Sequence, residues 1–218
     1  MVQTTLCFDF GNTRLKCAVF SNRELKEVVM LENDKDDTIQ QLVHRFQPQK
    51  TILSSVINHN PGLEAILAGA SRFHKLTHLS KLPVTTPVGK PETIGADRLA
   101  LVSAAVDLFP DKNNLAIGLG SAITYNFVNK YHEFVGGNIS PGMEMRFKSL
   151  NMFTAKLPLV KKDWNMSLMG YDTRTNILSG VILGMAREID GMIDLYHERY
   201  GNFNVLLTGG DAPYFVYH

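Results

Sequence analysis

Three short apolar runs crowd the first 31 residues, and only tight turns separate them. Residues 4–10 and 15–20 meet at Gly11-Asn12-Thr13, and residues 25–31 follow Ser21-Asn22-Arg23. Runs of that kind, joined that closely, read as hairpin-connected β-strands. Over residues 36–46 the period changes, with Ile39, Leu42, Val43 and Phe46 at helical spacing and Asp36 or Asp37 available as the cap. Residues 51–56 read as a strand and 63–70 as a short helix. The same order restarts at mid-chain. Residues 115–119, 122–128 and 134–139 are β-rich, with turn signals at Gly120 and at Asn129-Lys130. Helical segments follow, and a strand over 204–207 ends on Thr208-Gly209-Gly210. The echo is one of topology and not of aligned residues. It predicts an α/β chain with a duplicated βββαβα unit: two similar domains, residues 1–112 and 113–218, with a cleft between them.

Two helices stand out. Residues 97–109 carry Leu99, Leu101, Val102, Ala105 and Val106 ahead of Pro110, a helix stop. Residues 173–200 carry one apolar stripe: Leu178, Val181, Ile182, Met185, Ile189, Met192, Ile193 and Tyr196. Gly180, Gly184 and Gly191 interrupt that helix at about 1 kcal/mol each against Ala. They imply close backbone approach, either inside the chain or at a subunit interface.

Charge narrows the function. With 22 Lys plus Arg against 21 Asp plus Glu, the net charge of +1 removes the electrostatic case for nucleic acid or a membrane surface. No apolar run approaches the ~18 residues of a spanning helix, and residues 1–12 lack a basic lead into an apolar stretch, so a cytoplasmic protein is expected. Cys7 and Cys17 lie about equidistant from the first turn, which makes them candidate cross-strand neighbours and buried, reduced thiols. His74 and His78, spaced i,i+4 without a third ligand, read as solvated. So do Lys156, Lys161 and Lys162 near Trp164. Met143, Met145, Met166 and Met169 read as core filler.

The chemistry-bearing residues sit in turns. In Asp9-Phe10-Gly11-Asn12-Thr13-Arg14-Leu15-Lys16 a carboxylate ends the first strand, and the turn offers N–H groups and a hydroxyl to phosphate oxygens. An ordinary hairpin with Asp as turn former is the plainer alternative. Gly118-Leu119-Gly120-Ser121-Ala122-Ile123-Thr124 and Leu207-Thr208-Gly209-Gly210-Asp211-Ala212 are two more small-residue turns at strand ends. Three such turns on a duplicated architecture suit a nucleotide, and neither G-x-G-x-x-G nor G-x-x-x-x-G-K-[ST] occurs. Gly95-Ala96-Asp97-Arg98 opens the first strong helix, placing a base beside an anion clamp, equipment for phosphoryl transfer.

Together with Gly136-Gly137-Asn138-Ile139-Ser140-Pro141-Gly142, these segments resemble, in order and over nearly the whole chain, the type III pantothenate kinases. That resemblance implies the two-lobed actin-like ATPase (ribonuclease H-like) fold and transfer of the ATP γ-phosphoryl to pantothenate, giving 4′-phosphopantothenate for coenzyme A synthesis. It implies that residues 9–16 form the first phosphate motif, with Asp9 ordering Mg²⁺ through water, and that Ser121 touches the ATP phosphates. Gly95, Ala96, Asp97 and Arg98 would line the pantothenate site, with Asp97 as proton acceptor. Thr173 matches a substrate-contacting Thr. A homodimer is implied, its pantothenate site completed at the interface. Four departures are visible. Gly118 stands where the family carries an Asp for a monovalent cation, so weak dependence on K⁺ or NH₄⁺ is expected. Asn126 replaces another Asp, Val88 stands near the place of a pantothenate-contacting Tyr, and the chain stops eight residues after Gly210, short of a further strand and helix. Those departures leave a catalytically weakened nucleotide-sensing module as the alternative.

Overall fold

The computed structural model describes residues 3–87, 89–163 and 167–216. The chain divides into two compact units, Met1–Leu82 with Gly89–Ser103, and Pro83–Val88 with Ala104–His218. In the first unit, β1 (Thr4–Phe10), β2 (Leu15–Ser21) and β3 (Glu24–Leu31) form an antiparallel meander. Then α1 (Asp36–Phe46) leads to β4 (Lys50–Ser55), and α2 (Gly62–Ala70) to β5 (Arg72–Lys75). The sheet order is β3-β2-β1-β4-β5, with β4 parallel to β1 and to β5. The chain passes into the second unit along α3 (Ala96–Leu108). There β6 (Asn114–Leu119), β7 (Ala122–Val128) and β8 (Phe134–Pro141) make a second meander. It is followed by α4 (Met143–Met152), α5 (Thr173–Tyr200) and β9 (Asn204–Thr208), which returns parallel to β6. That sheet reads β8-β7-β6-β9. Both units thus place strands in the order third-second-first-fourth. This is the duplicated, ribonuclease H-like arrangement of the actin-like ATPase fold.

Each core follows from strand alternation. Leu6, Phe8 and Phe10 are buried with Ile39, Leu53 and Leu63, which leaves Cys7 and Asp9 on the other face of β1. In the second unit Leu115, Ile117 and Leu119 of β6 and Ile123, Tyr125 and Phe127 of β7 pack on the stripe Leu178, Val181, Ile182, Met185 and Ile189 of α5. Each such side chain contributes about 1.5–3 kcal/mol on burial. The helix starts at an Asp172 cap whose carboxylate accepts from Thr175 N–H at 2.7 Å, while the Thr175 side chain returns a bond to the Asp172 N–H.

Several expectations need correction. The cap of α1 is Lys35, with no side-chain cap bond, and Asp36 and Asp37 occupy the first turn, where they favour the helix dipole. Asp36 instead accepts from Asn60 Nδ2 at 2.6 Å. Cys7 pairs with Ala18 and Cys17 with Phe8, so a one-residue offset puts the two thiols on opposite faces. Gly180, Gly184 and Gly191 lie on the exposed side of α5, and a Cβ at each meets nothing within 4 Å. Close approach among the described residues does not explain them. Met143 is core, but Met145 and Met169 are 48% and 72% exposed; Met166, Trp164 and Val88 lie outside the described residues. The strand β5 went unread because Arg72, His74 and Lys75 flank a single apolar residue, Phe73.

Asn126 has a structural reason. It is fully buried, and its amide donates to Ala116 O at 3.0 Å, Thr124 O at 3.3 Å and Thr124 Oγ1 at 3.1 Å. A carboxylate there would face those carbonyls with no proton to offer. Asn126→Asp is expected to lower unfolding stability at neutral pH by about 1–3 kcal/mol or more, read from urea denaturation; an unchanged midpoint and slope would refute this.

Candidate active site

The alternation that buries Phe8 and Phe10 turns Asp9 outward at the carboxyl end of β1, and its side chain is 53% exposed. Lys16 faces it across the β1–β2 ladder, with Nζ 3.8 Å from Oδ2. Partial burial pushes the Asp9 pKa up. Lys16 pulls it down and the negative charge of Asp97 pushes it up again, leaving it above the ordinary 3.8. Asp9 and Asp97 are thus close enough to repel. Gly11 N–H donates to Arg14 O at 3.1 Å and closes the turn, with Asn12, Thr13 and Arg14 exposed around it. Phe10 and Leu15 turn into the core, so only their backbone belongs to the turn surface.

Asp97 stands in the first turn of α3, beside buried Ala96 and partly buried Arg98. Its Oδ1 accepts from Arg98 N–H at 2.8 Å. A Cβ at residue 95 would lie 2.5 Å from that oxygen and 3.5 Å from Val56 Cγ1. Glycine at 95 is what lets the carboxylate fold back there. Ser54, level with Asp9 across the β1–β4 pairing, carries the one buried side-chain oxygen without a hydrogen-bond partner among the described residues. Just beyond it, Ser55 Oγ is 2.9 Å from His59 Nδ1, and His59 Nε2 is 3.0 Å from Glu64 Oε1. Lys75 Nζ also reaches Glu64 at 2.7 Å and, ahead of His59, holds its pKa down. No motif in the sequence marks Ser54 or this chain of contacts.

In the second unit the turn after β6 is built from backbone. Gly120 N–H donates to Ala122 O, Gly142 N–H to Ser121 O and Asp211 N–H to Leu119 O, each at 3.1 Å. A Cβ at Gly142 would sit 2.1 Å from Gly120 O, and one at Gly209, whose φ is +107°, 2.2 Å from Leu119 O. Gly118 lies in β6 between Thr124 of β7 and Thr208 of β9 and supplies no side-chain oxygen. Asp211 is buried and paired with Lys162 Nζ at 2.8 Å, and that ammonium also lies 4.9 Å from the Tyr214 ring centroid. Lys162 is therefore anchored, contrary to its reading as a solvated loop residue. Thr173 is exposed at the start of α5 and lines an open groove of about 560 Å³ with Leu150, Leu157, Asn176, Ile177, Gly180 and Val181.

The Asp9 site fits a hard divalent cation. Asp9, half exposed at its strand end with the charge of Asp97 acting on it, offers carboxylate oxygens of the kind Mg²⁺ takes. No group of three or more potential ligands occurs among the described residues.

The family model for type III pantothenate kinase matches residues 5–195. The chain belongs to the type III pantothenate kinase family. A type III pantothenate kinase of Christiangramia forsetii is 42% identical over 209 residues, covering 95% of this chain and 86% of that protein. One of Bacteroides fragilis is 40% identical over 210 residues, covering 94% and 85%, and one of Cytophaga hutchinsonii 39% over 210, covering 96% and 88%. The crystal structure of a protein from Campylobacter jejuni, described as of the Baf transcriptional activator family, superposes with a TM-score of 0.60. It is 22% identical and covers 97% of this chain and 86% of that one, a likeness of fold. No helix among the described residues of this type III pantothenate kinase family member is long and apolar enough to cross a membrane.

The raised Asp9 pKa has a signed consequence. Ionised Asp9 opposes folding above its pKa, and that cost vanishes as pH falls below the unfolded value of 3.8. Asp9→Asn is expected to raise the thermal midpoint at neutral pH, with the gain shrinking as the pH approaches 4. Melts across pH 4–8 check it; a variant less stable than wild type at pH 7 would overturn it.

Proposed function

We propose that this chain transfers the γ-phosphoryl group of ATP to the primary hydroxyl of pantothenate, giving 4′-phosphopantothenate and ADP, a step toward coenzyme A. The observation that carries the reading is the carboxylate of Asp9 at the end of β1, whose pKa burial and then the charge of Asp97 push up, in a chain of this family. Asp97 accepts the hydroxyl proton as the substrate oxygen bonds to phosphorus and the bond to the ADP oxygen breaks. Asp9 would hold Mg²⁺, which would neutralise charge on the phosphates, and Lys16 and Arg98 offset charge on the transferred group. The backbone of the Asp9–Lys16 turn and Ser121 hold phosphates, while Gly95, Arg98 and Thr173 hold pantothenate. No feature among the described residues favours a purely regulatory role. Asp97→Asn is expected to keep nucleotide binding and lower kcat by about 10²–10⁴-fold, measured by coupled ADP release; near-normal turnover would remove Asp97 as the base. Without a carboxylate at Gly118, the same assay is expected to run at similar rates in K⁺, NH₄⁺ and Na⁺ at fixed ionic strength, and strong activation by K⁺ or NH₄⁺ would contradict this.

The proposed working form is a homodimer through α5. A Cβ added at its outward glycines meets nothing within 4 Å among the described residues, and Leu168, Met169 and Tyr171 beside its start are 86%, 72% and 90% exposed. At Gly184 an added Cβ meets nothing within 4 Å among the described residues, so Gly184→Leu begins its side chain in open space. The variant is expected to shift toward monomer in light scattering and to lose activity in parallel; a monomeric wild type at micromolar concentration would rule the dimer out.

A further inference from the structure

Arg146 lies one turn into α4, just past the glycine that presses on the Ser121 turn. Its Nε donates to Pro141 O at 2.8 Å and its Nη2 to Ser140 Oγ at 2.9 Å, and the same Nη2 pairs with Glu188 Oε2 of α5. The other Glu188 oxygen accepts from the Tyr125 hydroxyl of β7 at 3.3 Å. One guanidinium therefore ties the end of β8 to α5 and, through Glu188, to β7.

We propose that Arg146 and Glu188 are positioning residues that set the phosphate turn at residues 118–124. The inference rests on the reading above that this turn faces the ATP phosphates. Its physical basis is the lack of slack between the clamp and the turn. Gly142 follows Pro141 directly, donates to Ser121 O at 3.1 Å, and already brings its Cα so near Gly120 O that a Cβ would lie 2.1 Å from it. A displaced Pro141 moves Gly142, and Gly142 has no room to move without moving Gly120 and Ser121. The pair is partly desolvated, with side chains 23% and 27% exposed, which strengthens charge-assisted bonds. Burial, then Glu188, raises the Tyr125 pKa, so the phenol keeps its proton and stays a donor to Glu188. Lysine at 146 would keep the charge but lose the planar fork that serves three acceptors at once.

The test varies ATP and pantothenate separately for wild type, Arg146→Ala, Arg146→Lys, Glu188→Gln and Ser121→Ala, alongside thermal melts of each. Arg146→Ala is expected to raise the KM for ATP about 10-fold or more, a misplacement effect, with the KM for pantothenate unchanged. Arg146→Lys is expected to recover only part, and Glu188→Gln to fall between. Should Arg146→Ala fail to fold, the two milder variants make the same comparison. A wild-type KM for ATP in the Arg146 and Glu188 variants, or losses that only follow the folded fraction, would overturn the inference. Ser121→Ala separates the two levels. A raised KM for ATP there with none in the Arg146 variants defeats the positioning inference alone. An unchanged one in Ser121→Ala defeats the phosphate reading and the inference with it.

Discussion

Backbone meets backbone around residues 119–121 at separations that admit no side chain. Gly142 and Gly209 arrive from β8 and from beyond β9, and each would place a Cβ about 2 Å from a carbonyl of that turn. The order β8-β7-β6-β9 makes this possible, because β6, which leads to residue 120, lies directly beside β9, which brings residue 209. The register, the chain reversal at Ser121 and the start of α4 all have to agree for those contacts to exist. In a close-packed interior such agreement is discrete: the parts fit in one arrangement, and small shifts propagate.

The first unit meets a different constraint, one of charge. Its sheet carries Asp9 to the strand end and α3 carries Asp97 to a helix start, two favourable local placements whose combination is unfavourable. Burial, lysine and the second carboxylate leave Asp9 harder to ionise than a free aspartate. Residues that serve chemistry at some cost to folding are common at functional sites.

What the sequence made legible follows from the range of the physics. Residues 4–31 declare three strands because alternation and turn composition are local. Asp9, Gly95 and Asp97 were readable for the same reason, since each sits at an element boundary with its own composition. The family resemblance extended the reading to Ser121 and the Gly136–Gly142 stretch. Contacts spanning many residues left no such trace. Arg146 and Glu188 are 42 apart in sequence and Lys162 and Asp211 are 49 apart. Nothing in the local spacing links them. Ser54 looks like any strand serine, and its lack of a partner is a property of packing. The glycines of α5 are legible as belonging to that helix but not as lying on its exposed side, because glycine itself says nothing about which side is covered.

The one-residue offset between Cys7 and Cys17 has a chemical consequence. Cys17 is wholly buried, and burial, ahead of Cys7, pushes its thiol up to about 12. At pH 7 that leaves roughly one thiol in 10⁵ as thiolate, the form that reacts. Oxidants and alkylating reagents therefore pass Cys17 by while the first sheet is closed. The rate at which it is labelled becomes a clock for the opening of that sheet, with the reporter supplied by the native chain.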